Sequence, residues 1–296
     1  MLLAVKLGQA SRTAVMVCSG RAVASARRLD DRFQDPTALA LLPEDARERA
    51  LRYLARGRPR SAGELFEYLR MPTLAAVMTV RTLAIDDALV AAAAPQLVIL
   101  GAGLDGRAYR MPALRASVVF EVDHPDSQRD KRERAAQLTP MARDIRFVPV
   151  DFARDSLDAA LTRAGHDATQ ATTFIWEGVV MYLSQDAIDA TLSVIERRSA
   201  PGSRLIVVYH VPSWLLAAIG PMVRRLGEPL RSRSTPADMR RLLARYGYEV
   251  EHDDHVAGFA ERLSPRLARD VAFAKHLHIV IADRRECARV QSQNRS

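Results

Sequence analysis

The chain has 296 residues, 48% hydrophobic and 26% charged, a composition that supports a sizeable core and excludes a disordered or fibrous chain. Its formal net charge is +8, carried almost wholly by arginine, because Lys6, Lys131 and Lys275 are the only lysines. The arginines are scattered and interleaved with acids, as in RDKRER (129–134), which reads as solvated helix faces and predicts no specific nucleic-acid partner.

From the N-terminus, MLLAVKLGQASR lacks the long apolar core of a secretory signal. Cys18 and Cys287 stand near opposite ends, with neither a disulfide framework nor zinc-ligand spacing, so a reducing, cytoplasmic setting and no metal are expected. Residues 1–95 carry helical patterns at 13–28 and 72–93 and no convincing strand, which predicts a helical N-terminal cap. From residue 96 short β-branched runs alternate with helical stretches. The runs are QLVIL (96–100), SVVFEVD (117–123), IRFVPVD (145–151), TTFIWEG (172–178) and SRLIVVYH (203–210), with two more at 246–253 and 276–284. Strands apolar on nearly every residue are buried on both faces, which predicts a doubly wound α/β fold with a mostly parallel, seven-stranded sheet over 96–285. Ser184 is a candidate N-cap for a helix closed by Pro201-Gly202, and Ser234 or Thr235 before Pro236 for another. A helical insertion is expected at 211–245 between the fifth and sixth strands, and a frayed tail at 286–296. VPSWLLAAIGPMV is too short to span a bilayer.

Ligands of such sheets sit beyond the carboxyl ends of the strands. There, residues 97–111 read LVILGAGLDGRAYRM, in which Gly101, Gly103 and Gly106 match the G-x-G-x-x-G dinucleotide fingerprint. A dinucleotide loop needs a long helix whose N-terminal amides face the pyrophosphate. Here Asp105 would oppose a phosphate, and Pro112 limits the helix to little more than one turn. Both features suit a ligand with an ammonium group and a ribose, such as S-adenosylmethionine. Glu121 or Asp123, ending the second strand, can accept the ribose hydroxyls; Asp151 can accept the adenine amino group, with Phe152 against the ring.

The ordered motifs GAGLDGRAYR (101–110), EVDHPDSQRDKRER (121–134), FVPVDF (147–152) and WEGVVMYLSQDAIDATL (176–192) resemble the leucine carboxyl methyltransferase family, in particular its bacterial branch of O-methyltransferases. SRTAVMVCSGRAVASARR, QDPTALAL, VRTLAIDDAL and the stretch GEPLRSRSTPADMRRLLARYGYEV are similar to further motifs of that branch, so the likeness spans roughly residues 10–284. It implies a class I, Rossmann-like methyltransferase fold with S-adenosylmethionine as cofactor. It also implies roles: Arg81 on the cofactor carboxylate, Gly101, Ala102 and Gly103 along the methionine portion, and Glu177 beside the methyl-transfer centre. Asp105 belongs to the same cofactor-binding set. One departure is Gly106, where the family usually reads G-L-D-T-R.

The expected acceptor is a small molecule, with a carboxylic acid implied by the family and a hydroxyl or phenol as the alternative. A carboxylate is already ionised, whereas an alcohol gains from a base; His210 is the candidate base, and Tyr182, Tyr209 and Trp214 are candidate pocket walls. An apolar lid at 214–223 followed by a basic rim at 224–233 would suit a hydrophobic acid. Competing classes are a nicotinamide oxidoreductase, a nucleic-acid methyltransferase and a non-catalytic regulator with the same fold. The sequence leaves oligomeric state and pathway open.

Overall fold

The computed structural model describes residues 11–152, 154–213 and 232–285. The expected tail at 286–296, with Cys287, the lid with Trp214, and the rim as far as residue 231 lie outside them. Four helices come first: α1 (Arg12–Arg27), α2 (Ala38–Leu41), α3 (Glu44–Leu54) and α4 (Ala62–Ala92). Helix α1 starts where the Ser11 hydroxyl accepts the Ala14 N–H at 3.1 Å. The sequence pattern suggested a helix from Pro72. Helix α4 instead begins ten residues earlier, capped by Ser61 on Glu64 N–H, and carries Pro72 inside it at the cost of one backbone hydrogen bond.

Strands β1 (Gln96–Leu100), β2 (Val118–Asp123), β3 (Asp144–Pro149), β4 (Thr172–Trp176), β5 (Arg204–His210), β6 (Tyr248–His255) and β7 (Leu277–Arg284) form one sheet, ordered β3-β2-β1-β4-β5-β7-β6. The first five are parallel, and β7 runs antiparallel to both β5 and β6. The expected seven-stranded, mostly parallel architecture is therefore present. One strand departs from expectation: β3 was read as buried on both faces but lies at a sheet edge with much of its surface open. Its Pro149, lacking a donor, is tolerated at such an edge.

Alternation along the strands divides the interior in two. Leu97, Ile99, Val119, Ile175 and Ile206 face the core shared with α1 and α4. Val98, Leu100, Phe120, Phe174 and Trp176 face the opposite core with the helices Leu157–Arg163 and Gln185–Arg197. The N-terminal helices thus cover one face of the sheet. Ser184 caps the helix Gln185–Arg197 by accepting the Ala187 N–H, and Pro201-Gly202 turns the chain into β5. Of the two candidate caps near Pro236, Thr235 is used, in a reciprocal capping box with Asp238 that opens the helix Pro236–Arg245. Among the described residues no helix is long and apolar enough to cross a membrane.

Candidate active site

The strand order reverses between β1 and β4, and a cavity of about 290 Å³ opens there, at the carboxyl ends of β1 to β4. Its floor is the loop after β1. Gly101 and Gly103 take φ of +70° and +47°, in the left-handed region that favours glycine. A Cβ on Gly101 would lie 2.3 Å from Val179 Cγ2, so bare backbone is required on steric grounds as well. The backbone N–H groups of Gly101 and Ala102 both donate to Val122 O, at 2.8 and 3.0 Å, which fastens the loop to β2. The helix that follows, Arg107–Arg110, has four residues, as the proline spacing required.

Gly106 has an ordinary φ of −106°, so conformation does not demand glycine there. Close approach does: a Cβ would meet Thr37 Oγ1 at 2.1 Å. That hydroxyl donates to Asp35 Oδ1 at 2.6 Å and fills the space next to the loop where most relatives are expected to carry their own hydroxyl side chain.

Glu121 and Asp123 share a face of β2 but have different fates. Asp123 lines the cavity, its Oδ2 accepting the Gly103 N–H at 2.5 Å and its Oδ1 the His124 N–H at 2.6 Å. Burial raises its proton affinity, which the two N–H groups only partly offset. Glu121 does not line the cavity; it is fully buried and ion-paired to Lys131 Nζ at 2.6 Å. The expectation that either could meet a ribose is thus corrected for Glu121, whose carboxylate is enclosed one turn of the pleat deeper with its own counter-charge. Asp151 and Phe152, past the end of β3, line the cavity beside Asp123.

Under the loop lies a buried set of four arginines and four carboxylates. Arg21 pairs with Asp35 (3.2 Å), Arg110 with Asp86 (2.7 Å) and Arg81 Nη2 with Glu177 Oε1 (2.7 Å). Arg107 contacts Asp86 (2.7 Å), Asp105 and Glu177 Oε2 (3.0 Å). Burial alone would raise the Glu177 carboxyl, but Arg81 and Arg107 outweigh it and hold the group below the ordinary range. Asp105 behaves likewise, pulled down by Arg107 and Arg21 against burial. Arg81, Asp105 and Glu177 all line the cavity, and Arg81 Nε is buried with no hydrogen-bond partner among the described residues.

Tyr182 lines the cavity opposite α1, its hydroxyl 3.5 Å from Thr13 Oγ1. His210 and Tyr209 do not. His210 stacks on His276 at 5.6 Å, and burial, then His276 and Arg81, push its imidazole down to about 3. The base expectation is therefore corrected: the ring is off the cavity and has little affinity for a proton. Tyr209 sits in the second core and donates to Asp253 at 2.8 Å, so it is no pocket wall. Sequence reasoning missed the contribution of α1, which brings Ser11, Ala14, Val17 and Arg21 over the cavity, and it missed Arg107. A charged Arg21 inside the apolar run AVMVCSGRAVA was the one available signal.

The model of the leucine carboxyl methyltransferase family matches residues 14–196. A candidate S-adenosyl-L-methionine-dependent methyltransferase of Mycobacterium sp. (strain KMS) is 36% identical over 255 residues, covering 84% of this chain and 81% of that protein. Another from Mycolicibacterium gilvum (strain PYR-GCK) is 38% identical over 267 residues, covering 89% and 85%. Two solved structures share the fold. A DUF574 family protein of Streptomyces avermitilis aligns with a TM-score of 0.59 at 13% identity over 94% of this chain and 99% of that one. A candidate methyltransferase of Thermobifida fusca aligns at 0.53 and 16% over 89% and 94%. The chain belongs to the leucine carboxyl methyltransferase family, whose members are S-adenosylmethionine-dependent enzymes.

Proposed function

We propose that this S-adenosylmethionine-dependent methyltransferase acts on oxygen, and that its acceptor is the carboxylate of a small organic acid. The residues present fit the donor. Arg81, with its unsatisfied buried Nε, suits the donor carboxylate, and Glu177 its ammonium group. The bare backbone of Gly101 to Gly103 suits the methionine chain, Asp123 the ribose, and Asp151 with Phe152 the adenine. When bound, the donor supplies a methyl group on a positively charged sulfur, already activated for in-line displacement.

The observation that carries the carboxylate reading is the state of the acids and bases around Glu177. Among the described residues, Glu177 and Asp105 are held as weakly basic carboxylates by arginines, and the His210 imidazole is pushed down to about 3. None of these removes a proton from an alcohol near neutral pH. An acceptor that is already ionised needs no such help. What remains for the protein is to hold the acceptor oxygen in line and exclude water, which is worth about 7–11 kcal/mol in favourable cases. Tyr182 and Thr13, which line the cavity with their hydroxyls 3.5 Å apart, suit that positioning.

The same reading has the enzyme working in the cytoplasm without a nucleic-acid partner, supported by two-cysteine usage and scattered arginines. The test is turnover of a panel of aromatic and fatty acids against the matching alcohols, with product esters identified by mass and by alkaline hydrolysis. Ester formation is expected. Methyl ethers from the alcohols, with no ester from any acid, would overturn the carboxylate acceptor.

A further inference from the structure

We infer that Arg107 is a positioning residue for the amino-acid end of the donor, an inference that rests on the donor reading above. Its guanidinium is 1% exposed and joins three parts of the fold. Nε donates to Asp86 Oδ1 on α4 at 2.7 Å, and Nη1 donates to Asp105 of the glycine loop and to Glu177 Oε2 beyond β4, the latter at 3.0 Å. The backbone N–H of Arg107 adds a second bond to Asp105, at 2.7 Å. Asp86 is itself fixed by Arg110 at 2.7 Å and lies on the helix that carries Arg81. One side chain therefore sets the relative positions of Arg81, Asp105 and Glu177.

The division of Glu177 between two arginines gives this arrangement its purpose. Oε1 meets Arg81 and Oε2 meets Arg107. Arg81 holds Glu177 through Nη2, so a ligand carboxylate taken at Nε shares the same guanidinium charge. Without Arg107 that sharing would leave a largely buried carboxylate under-compensated, a state the protein interior penalises. With Arg107 in place Glu177 keeps one charged partner throughout, and stays available to a ligand ammonium group. Burial would strip the Arg107 proton, but Asp105, Asp86 and Glu177 outweigh it and keep the charge. Arg107 does not line the cavity, so it acts through its neighbours rather than by touching the donor.

Two probes separate this role from general structural support. S-adenosylhomocysteine carries the amino-acid end, and 5′-methylthioadenosine lacks it. Calorimetry on the wild type and on Arg107→Lys is expected to show homocysteine-probe binding weakened by about tenfold or more, the size of one lost hydrogen bond to a charged group. Binding of methylthioadenosine is expected to stay within about twofold. Equal weakening of both probes, or of neither, would overturn the inference. A wild type that binds neither probe would remove the donor reading and this inference with it. A second readout needs no variant: in a crystal structure of the wild type with S-adenosylhomocysteine, the ligand carboxylate should meet Arg81 Nε while Arg107 keeps Glu177. Loss of the Arg107–Glu177 contact in that complex would overturn the proposal even if Arg107→Lys fails to fold.

Discussion

The last residue of β2, Asp123, accepts the backbone N–H of Gly103 at 2.5 Å, so one carboxylate both faces the cavity and holds the glycine loop in place. Its second oxygen is occupied by the His124 N–H, yet each oxygen retains a lone pair for a ligand hydroxyl. Burial, the main influence, makes this group titrate above the ordinary carboxylate value. If Asp123 accepts the ribose hydroxyls as proposed, donor binding needs the ionised form. Affinity should be full above the raised pKa and fall as pH drops through it, beginning at a higher pH than the roughly 3.9 of a free aspartate. The fold responds with the opposite sign: the native group holds its proton more tightly, so its stability contribution is present at low pH and lost as pH rises through the native pKa. Asp123→Asn places an amide against one of the two N–H donors, at a cost of about 1–3 kcal/mol. Calorimetry with S-adenosylhomocysteine should show the wild-type acid loss, and a variant at least about tenfold weaker that lacks this pH slope.

Glu121 and Lys131 make a different prediction. They are 1% and 2% exposed and 2.6 Å apart, so removing one partner strands the other. Lys131→Met should cost about 3–5 kcal/mol in urea unfolding, while Glu121→Met combined with Lys131→Met should recover most of it. The folded double variant should bind S-adenosylhomocysteine as the wild type does. Loss of that binding would return Glu121 to the ribose site.

At Gly106 the prediction is a steric one between distant segments. Gly106→Thr, which restores the residue usual in the family, should destabilise this chain by about 1–3 kcal/mol, because its Cβ would meet Thr37 Oγ1 at 2.1 Å. Thr37→Ala should itself be mildly destabilising, by release of Asp35, yet should offset part of the loss when combined with Gly106→Thr. A double-mutant cycle measures this coupling. Strict additivity would mean the two sites do not share the space.

The fold was legible where local chemistry decides it. Runs such as LVIL (97–100) are apolar at every position and mark buried parallel strands, and Pro112 limited the loop helix through its fixed φ and missing donor. Sheet position was not legible: IRFVPV reads as a buried strand, but β3 is an edge because no strand among the described residues pairs beyond it. Nor could local pattern choose between Glu121 and Asp123. Period two puts both on one face, and the choice is made by Lys131, which arrives from the next helix, Pro125–Ala135. The arginine–carboxylate set escaped notice for a related reason, since Arg81 and Glu177 stand 96 residues apart and meet only when α4 packs under the sheet end.

His210 gives a test of the chemistry itself. It ends the fifth strand, where a base for an alcohol acceptor would be useful, but its ring lies against His276 and its Nδ1 is buried without a partner among the described residues. Burial first, then His276 and Arg81, carry its pKa from 6.5 to about 3. The unfolded chain therefore binds more protons than the native one across that interval, and stability should climb as pH rises from about 3 to about 6.5. His210→Gln removes this titration and should flatten the climb in unfolding measured across that range. The same variant should keep kcat within about fivefold of the wild type on an acid substrate, with the pH profile unchanged in shape. General-base catalysis contributes about 10²–10⁴-fold. A fall of that size in His210→Gln, with loss of one limb of the profile, would make His210 the base and point to an alcohol acceptor instead.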